Sequence, residues 1–145
     1  MKIGSPAERA SRESRVALTP ESAKQLQKLG HECLIQKGAG AKAGFSDEDY
    51  SKAGVKVVNS AKALWDFSDV VVKVLGPDKT EVKHLNKTKI LISFFWPAQS
   101  ETLLRDINKT GATVLAMDLV PRISRAQKMD ALSSMANIAG YRAVI

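Results

Sequence analysis

Between Pro121 and Arg142 the chain sets Arg122, Ser124, Arg125, Gln127, Asp130, Ser133 and Ser134 beside a helix of small residues. Guanidinium groups bind phosphate or carboxylate, a carboxamide both donates and accepts, and a carboxylate accepts from hydroxyls and amides. A stretch that only had to fold would not crowd such groups against a strand end, where α/β proteins usually hold their ligands. Two readings of these residues are open. Ser124-Arg125-Ala126-Gln127 matches a helix capping box and Asp130 is able to head the last helix, which would make all three polar residues caps. Alternatively, Gln127 meets the carboxamide of a nicotinamide, Asp130 accepts from it or from ribose hydroxyls, and Arg122 neutralises a phosphate. Spacing alone favours neither.

Other groups qualify less clearly. Arg15 stands just before a predicted helix, and Lys73 interrupts the apolar run Val70-Val71-Val72-Lys73-Val74. At a strand's carboxyl end a lysine would point into the ligand crevice of an open sheet and hold a carboxylate or phosphate; an internal ion pair explains it equally well. Trp96 and Pro97 follow the run Ile90 to Phe94, which puts an aromatic wall at the same sheet edge, although core packing is the default for a tryptophan. The glycine-rich stretch Gly38 to Gly44 is one residue too long for a dinucleotide fingerprint. About 20 residues later, where an acid would grip a ribose, stand Asn59 and Ser60, so the stretch reads as a structural loop. His31 and His84 have no spaced Cys, Asp or Glu beside them; no metal site is expected and neither reads as a catalytic base.

Short apolar runs and helical patterns alternate from end to end to carry these groups. Strands are predicted at Lys2–Gly4, Glu32–Gln36, Val55–Val58, Val70–Val74, Ile90–Phe94 and Thr113–Met117. Helices are predicted at Pro20–Leu29, Asp47–Ala53, Ala61–Asp66, Asp78–Leu85 and Glu101–Lys109. Thr19 is placed to cap a helix beginning at Pro20, and Gly30, Gly54 and Gly111 follow helices where left-handed caps occur. Val70–Val72 and Ile90–Ile92 are continuously apolar, as strands covered on both faces should be. The fold class is therefore α/β: a doubly wound, mainly parallel sheet in a Rossmann-like or flavodoxin-like three-layer arrangement. Leu132, Met135, Ile138, Ala139, Arg142 and Ile145 mark one face of a final long helix with no stop signal. The chain is accordingly expected to continue past Ile145.

With 145 residues the chain makes one domain or half of a larger one. The lone Cys33 sits in an apolar run and reads as a buried thiol, suited to a reducing compartment. The charged start Met-Lys-Ile-Gly excludes a secretory signal, and no apolar stretch approaches membrane-spanning length. The net charge of +7 comes from scattered lysines. Without a basic run or aromatic interleaving it argues against nucleic acid and suits an anionic small molecule.

Val120-Pro121-Arg122-Ile123-Ser124-Arg125-Ala126-Gln127, followed by Asp130-Ala131-Leu132-Ser133-Ser134 and on to Gly140-Tyr141-Arg142, resembles the alpha subunit of the proton-translocating NAD(P) transhydrogenases. Arg15 to Pro20, Gly38-Ala39-Gly40, Val72-Lys73-Val74, Trp96 to Gln99 and Ala116-Met117-Asp118 extend the resemblance over the whole chain. The resemblance implies that residues 1–130 form the first α/β subdomain of an NAD(H)-binding component. Residues 131–145 would begin an inter-subdomain helix, and a Rossmann subdomain would follow. It implies nucleotide binding by Arg122, Ile123, Ser124, Gln127, Asp130 and Ser133, with Gln127 and Asp130 also catalytic. It further implies direct hydride transfer from NADH to NADP+ held by a partner component, with proton translocation by a membrane subunit. A homodimer on the cytoplasmic side of a bacterial inner membrane is expected, with this stretch inactive alone and not inserted in the membrane.

The chain is also similar to the N-terminal domain of alanine dehydrogenase. There the residues matching Arg15 and Lys73 hold the oxoacid, and a histidine occupies the position of Trp96. Amino-acid oxidation needs a proton-transferring group at the reacting carbon, whereas hydride passing between two nicotinamides does not. Trp96 therefore favours transhydrogenation, leaving an alanine-dehydrogenase-like oxidoreductase as the alternative. A third reading is a non-catalytic module that dimerises through its small-residue helix.

Overall fold

The computed structural model describes residues 1–144; Ile145, the last position of the predicted helix face, lies outside them. In chain order the elements are β1 (Lys2–Ser5), α1 (Pro20–Lys28), β2 (Glu32–Gln36), α2 (Asp47–Lys52), β3 (Lys56–Val58) and α3 (Ala61–Phe67). Then follow β4 (Val70–Leu75), α4 (Lys79–Val82), β5 (Ile90–Phe94), α5 (Glu101–Asn108), β6 (Thr113–Ala116) and α6 (Ala131–Val144). All strand pairs are parallel, in the order β3-β2-β1-β4-β5-β6. The chain winds outward to β3, returns through α3, and winds outward again to β6, which is the doubly wound arrangement expected from the alternation. The reversal places the carboxyl ends of β1 and β4 side by side, the usual position of a ligand crevice.

Local chemistry fixes the element ends. Thr19 Oγ1 accepts from the Ser22 N–H and Pro20 opens α1, while Gly30, Gly54 and Gly111 take the left-handed conformation at helix ends. Gly40 in the glycine-rich loop has a steric reason: a Cβ there would lie 2.6 Å from Tyr50 Cε2. The predicted helix over Asp78–Leu85 shrinks to the single turn of α4. Asp78 caps it through the N–H groups of Thr80 and Glu81, and the chain leaves the helix before Leu85.

Two apolar clusters lie on the sheet. Leu18, Ala23, Cys33, Ile35, Tyr50, Ala53 and Val55 form one under α1 and α2. Trp65, Val71, Val82, Leu85, Leu91, Phe95 and Ile107 form the other under α3, α4 and α5. Cys33 is a buried thiol, as expected, and burial pushes its pKa up. The expectation that Ile90–Ile92 is covered on both faces is corrected. Leu91 is fully buried, but Ile90, Ile92 and Phe94, which point the other way, are half-buried, and Leu115 on β6 is 51% exposed. Beside them an apolar groove of about 740 Å³ runs between Leu115, Leu119 and Met129.

One of the lysines has a structural duty. Lys89 Nζ donates to the carbonyls of Trp65 (2.6 Å), Asp66 (3.2 Å) and Ser68 (2.6 Å), closing the C-terminus of α3. Among the described residues no helix is long and apolar enough to cross a membrane, and no group of three or more His, Cys, Asp or Glu is placed to hold a metal ion.

Candidate functional site

The segment leaving β6 is built from tight turns. Val120 is extended (φ −59°, ψ 121°), as the following Pro121 demands, and Ser124–Met129 winds as a 3₁₀ turn. Ala126, 5% exposed, anchors this turn to the body, with its N–H on the Ile123 carbonyl (2.9 Å). Of the two readings left open for Ser124, the capping box does not form. Ile123 occupies the cap position and Ser124 makes no capping hydrogen bond, because a 3₁₀ turn starting at Ser124 puts that residue inside the turn and not before it.

Asp130 does cap. Its Oδ1 accepts from the Ser133 N–H (3.0 Å), its Oδ2 from the Ser133 hydroxyl (2.5 Å), and its carbonyl from Ser134 N–H (3.3 Å). These hydrogen bonds, Ser133's hydroxyl first, hold the Asp130 carboxyl below the usual carboxylate range, with the charge of Arg122 adding to them. Each carboxylate oxygen has a second lone-pair site, so capping α6 leaves Asp130 able to accept from a ligand.

Arg122, Ile123, Ser124, Gln127, Asp130 and Ser133 line one cleft of about 290 Å³ past the carboxyl end of β6. It presents a guanidinium, a carboxamide, a carboxylate and hydroxyls on one short stretch of backbone. That donor and acceptor set fits the amide, ribose and phosphate groups at the nicotinamide end of a dinucleotide. Its volume lies just below the roughly 300–1,000 Å³ typical of ligand pockets, which suits one end of such a molecule.

Arg15, Lys73 and Trp96 are not among the described residues lining this cleft. Arg15 binds Glu13 through two nitrogens (2.8 and 2.6 Å) and reaches Met135 of α6; the guanidinium holds the Glu13 carboxyl below its ordinary range. Lys73 is buried, its Nζ 2.7 and 2.8 Å from the carboxylate oxygens of Glu81 and 3.9 Å from Glu8. Of the two readings left open for Lys73, the ion pair is the arrangement present. Trp96 is 46% exposed, which corrects the core-packing default; Phe95, 3% exposed, fills the core in its place. Among the imidazoles, His84 stacks on Trp65 at 6.1 Å between ring centres.

Three acids organise this region whose roles were not read from the sequence, Asp118 having entered only within the motif Ala116-Met117-Asp118 of the resemblance. Glu8 accepts from the Val74 N–H (2.6 Å) at an irregularity in the β4–β5 register. Burial raises its pKa against the opposing pull of Lys73. Glu81 was legible only as the fourth residue of the capping box Asp78-Lys79-Thr80-Glu81. Asp118 stands in the turn Met117–Leu119, and its carboxylate accepts from the Phe95 (2.5 Å) and Trp96 (2.9 Å) N–H groups. No local signal marks Glu8 or Asp118, because their partners are remote in sequence.

Residues 4–139 match the family model described as alanine dehydrogenase/PNT, N-terminal domain. The whole chain is 66% identical over 145 residues to the NAD(P) transhydrogenase subunit alpha of Cereibacter sphaeroides, of which it spans 28%. Among solved structures, the transhydrogenase from Sinorhizobium meliloti superposes with a TM-score of 0.93 at 37% identity, over 99% of this chain and 43% of that one. An L-alanine dehydrogenase superposes with a TM-score of 0.81 at 36% identity, over 87% of this chain and 34% of that one.

Proposed function

The chain belongs to the alanine dehydrogenase/PNT N-terminal domain family, and from that premise we propose that it is the first α/β subdomain of the NAD(H)-binding component of a proton-translocating transhydrogenase. In this reading α6, described over Ala131–Val144, begins the helix leading to a second, Rossmann subdomain that carries the rest of the dinucleotide. The observation that carries this reading is the single cleft gathering Arg122, Ile123, Ser124, Gln127, Asp130 and Ser133. The similarity to a transhydrogenase alpha subunit along the whole chain supports it.

When bound, NADH supplies the hydride, and the residues of this chain contribute positioning. Gln127 pairs through its carboxamide with that of the nicotinamide, fixing the face the ring presents. Asp130, ionised and rigidly held by Ser133, accepts from ribose hydroxyls or the amide. Arg122 and Ser124 anchor phosphate, and Ile123 gives the ring an apolar neighbour. Holding two nicotinamides within about 3–3.5 Å in a water-poor site accounts for a large share of such a rate enhancement. The second nucleotide, NADP(H), is held by a partner component, and proton movement belongs to a membrane subunit on whose cytoplasmic side this homodimeric component docks. By itself the stretch is inactive, since it holds only one part of the nucleotide.

The alternative, an alanine-dehydrogenase-like oxidoreductase, is supported by the likeness to L-alanine dehydrogenase. It requires an oxoacid carboxylate to displace Glu81 from Lys73 and Glu13 from Arg15. The test is hydride transfer by the complete subunit mixed with its NADP(H)-binding partner, from NADH to an NADP+-side acceptor, against NADH oxidation with pyruvate and ammonia. Transfer between nucleotides alone is expected; NADH consumption dependent on pyruvate would overturn the reading.

A further inference from the structure

Trp96 is the one non-glycine residue with positive φ among the described residues (φ 50°, ψ 62°). A bulky L residue occupies this left-handed region only when its surroundings enforce it. The local sequence does not ask for it, since the following Pro97 biases Trp96 toward extended backbone. The enforcement comes from Asp118, whose two carboxylate oxygens clamp the N–H groups of Phe95 and Trp96. The Trp96 carbonyl in turn receives the Gln99 N–H at 2.9 Å.

The result is a division of labour between neighbours. Phe95 is driven into the core, while the larger Trp96 ring stays 46% exposed. A left-handed backbone at a bulky residue is unfavourable, and the indole it carries leaves 46% of its surface unburied. The place is the carboxyl end of β5. Asp118 leaves the adjacent β6 one turn before Arg122, so the same carboxylate ties the Trp96 loop to the segment that lines the candidate cleft.

We propose that Trp96 is a contact residue for the planar nicotinamide end of the dinucleotide, and that Asp118 is the positioning residue that holds its indole there. The inference rests on the transhydrogenase reading above and adds to it two groups outside the Arg122–Ser133 cleft. An indole face offers a flat, non-titrating wall that excludes water from the reacting ring without hydrogen-bonding to it.

The test uses the complete enzyme with Trp96→Gly, Trp96→Phe, Asp118→Ala and the double variant Trp96→Gly/Asp118→Ala. Glycine takes the left-handed conformation freely, so Trp96→Gly removes the ring and relieves the backbone in one change. Its melting temperature is expected to stay level or rise, while kcat for nucleotide-to-nucleotide transfer falls by about tenfold or more and the NADH-dependent quenching of the Trp96 indole disappears. That quenching is isolated as the difference between parent and Trp96→Phe spectra, and Trp96→Phe is expected to recover part of kcat. Asp118→Ala should lower kcat and weaken the same quenching, with no further loss of kcat in the double variant, because both residues act through one ring. Parental kcat and KM for NADH in Trp96→Gly, or unchanged quenching in Asp118→Ala, would overturn the proposal while leaving the transhydrogenase reading intact. A parent enzyme that transfers no hydride between nucleotides would overturn both.

Discussion

The Nζ of Lys73 lies 2.7 and 2.8 Å from the two carboxylate oxygens of Glu81, in the interior at the end of β4. A cation that interrupts an apolar strand here serves a buried pair, with Glu8 completing a triad at 3.9 Å. The triad holds two acids and one base. Burial of Glu8 pushes its carboxyl toward the protonated form, which brings the cluster nearer neutrality.

Removing the cation should expose how much the pair matters. Lys73→Met leaves Glu81 buried without its partner and is expected to cost about 3–5 kcal/mol, read from the urea midpoint. Lys73→Met/Glu81→Gln should recover a large part of that, since position 81 no longer carries a buried charge while its amide still accepts from the Asp78 N–H, now at 2.9 Å from Glu81 Oε2, and Glu8, already pushed toward the protonated form by burial, can take up a proton. A double variant as unstable as the single one would mean that packing, and not charge, dominates at this site.

Glu8 predicts a pH dependence of definite sign. Its folded pKa is raised above the ordinary 4.5, so between that value and the raised one the folded state binds more protons than the unfolded state. Stability from this group is therefore full below pH 4.5 and is lost as pH rises through the folded pKa. Glu8→Gln keeps an acceptor for the Val74 N–H and removes the titration. The parent's stability should thus fall relative to Glu8→Gln as the medium goes from acid toward neutral, measured by urea unfolding across that range. A difference independent of pH would remove Glu8 as the cause.

Asp130 predicts the opposite slope. Its pKa is lowered below 3.8, so its contribution is present above that value and is lost only as pH falls through the folded pKa. At neutral pH it is an anion, and the acid limb of any pH–rate profile should not belong to it. Asp130→Asn and Gln127→Ala are each expected to lower hydride transfer by about 10–100-fold while changing the Kd for NADH less. Equal losses in binding and transfer would mark both residues as anchors and not as orienting groups.

Gly40 tests the structural reading of the glycine-rich loop. A Cβ there would stand 2.6 Å from Tyr50 Cε2, 2.7 Å from its hydroxyl and 2.9 Å from the Phe45 carbonyl. Gly40→Ala should therefore destabilise by about 1–3 kcal/mol without altering NADH affinity. Tyr50 itself donates to the Leu18 carbonyl at 2.8 Å, and burial pushes its pKa up to about 12. Removing the hydroxyl in Tyr50→Phe should cost about 1 kcal/mol. Weakened nucleotide binding in Gly40→Ala would give the loop a ligand role.

What the sequence determined by itself was whatever depends on near neighbours. Apolar runs and glycine stops placed β1 to β6, because strand and helix periodicity, caps and left-handed ends are set within a few residues. The cleft residues from Arg122 to Ser133 were legible as a group for the same reason: one turn and one helix start bring them together. The tertiary structure decided what depends on partners far along the chain. Lys73 was undecided between an anion clamp and an ion pair until the fold laid Glu81 and Glu8 against it. Ser124 had the spacing of a cap, but the turn into which it is drawn left it inside. Trp96 had the composition of a core residue, and only Asp118, reaching across from β6, fixes the backbone that buries Phe95 and leaves the indole in the open. Long-range hydrogen bonds and ion pairs leave no periodic trace in a sequence, and so it was they, and not the elements, that remained to be found.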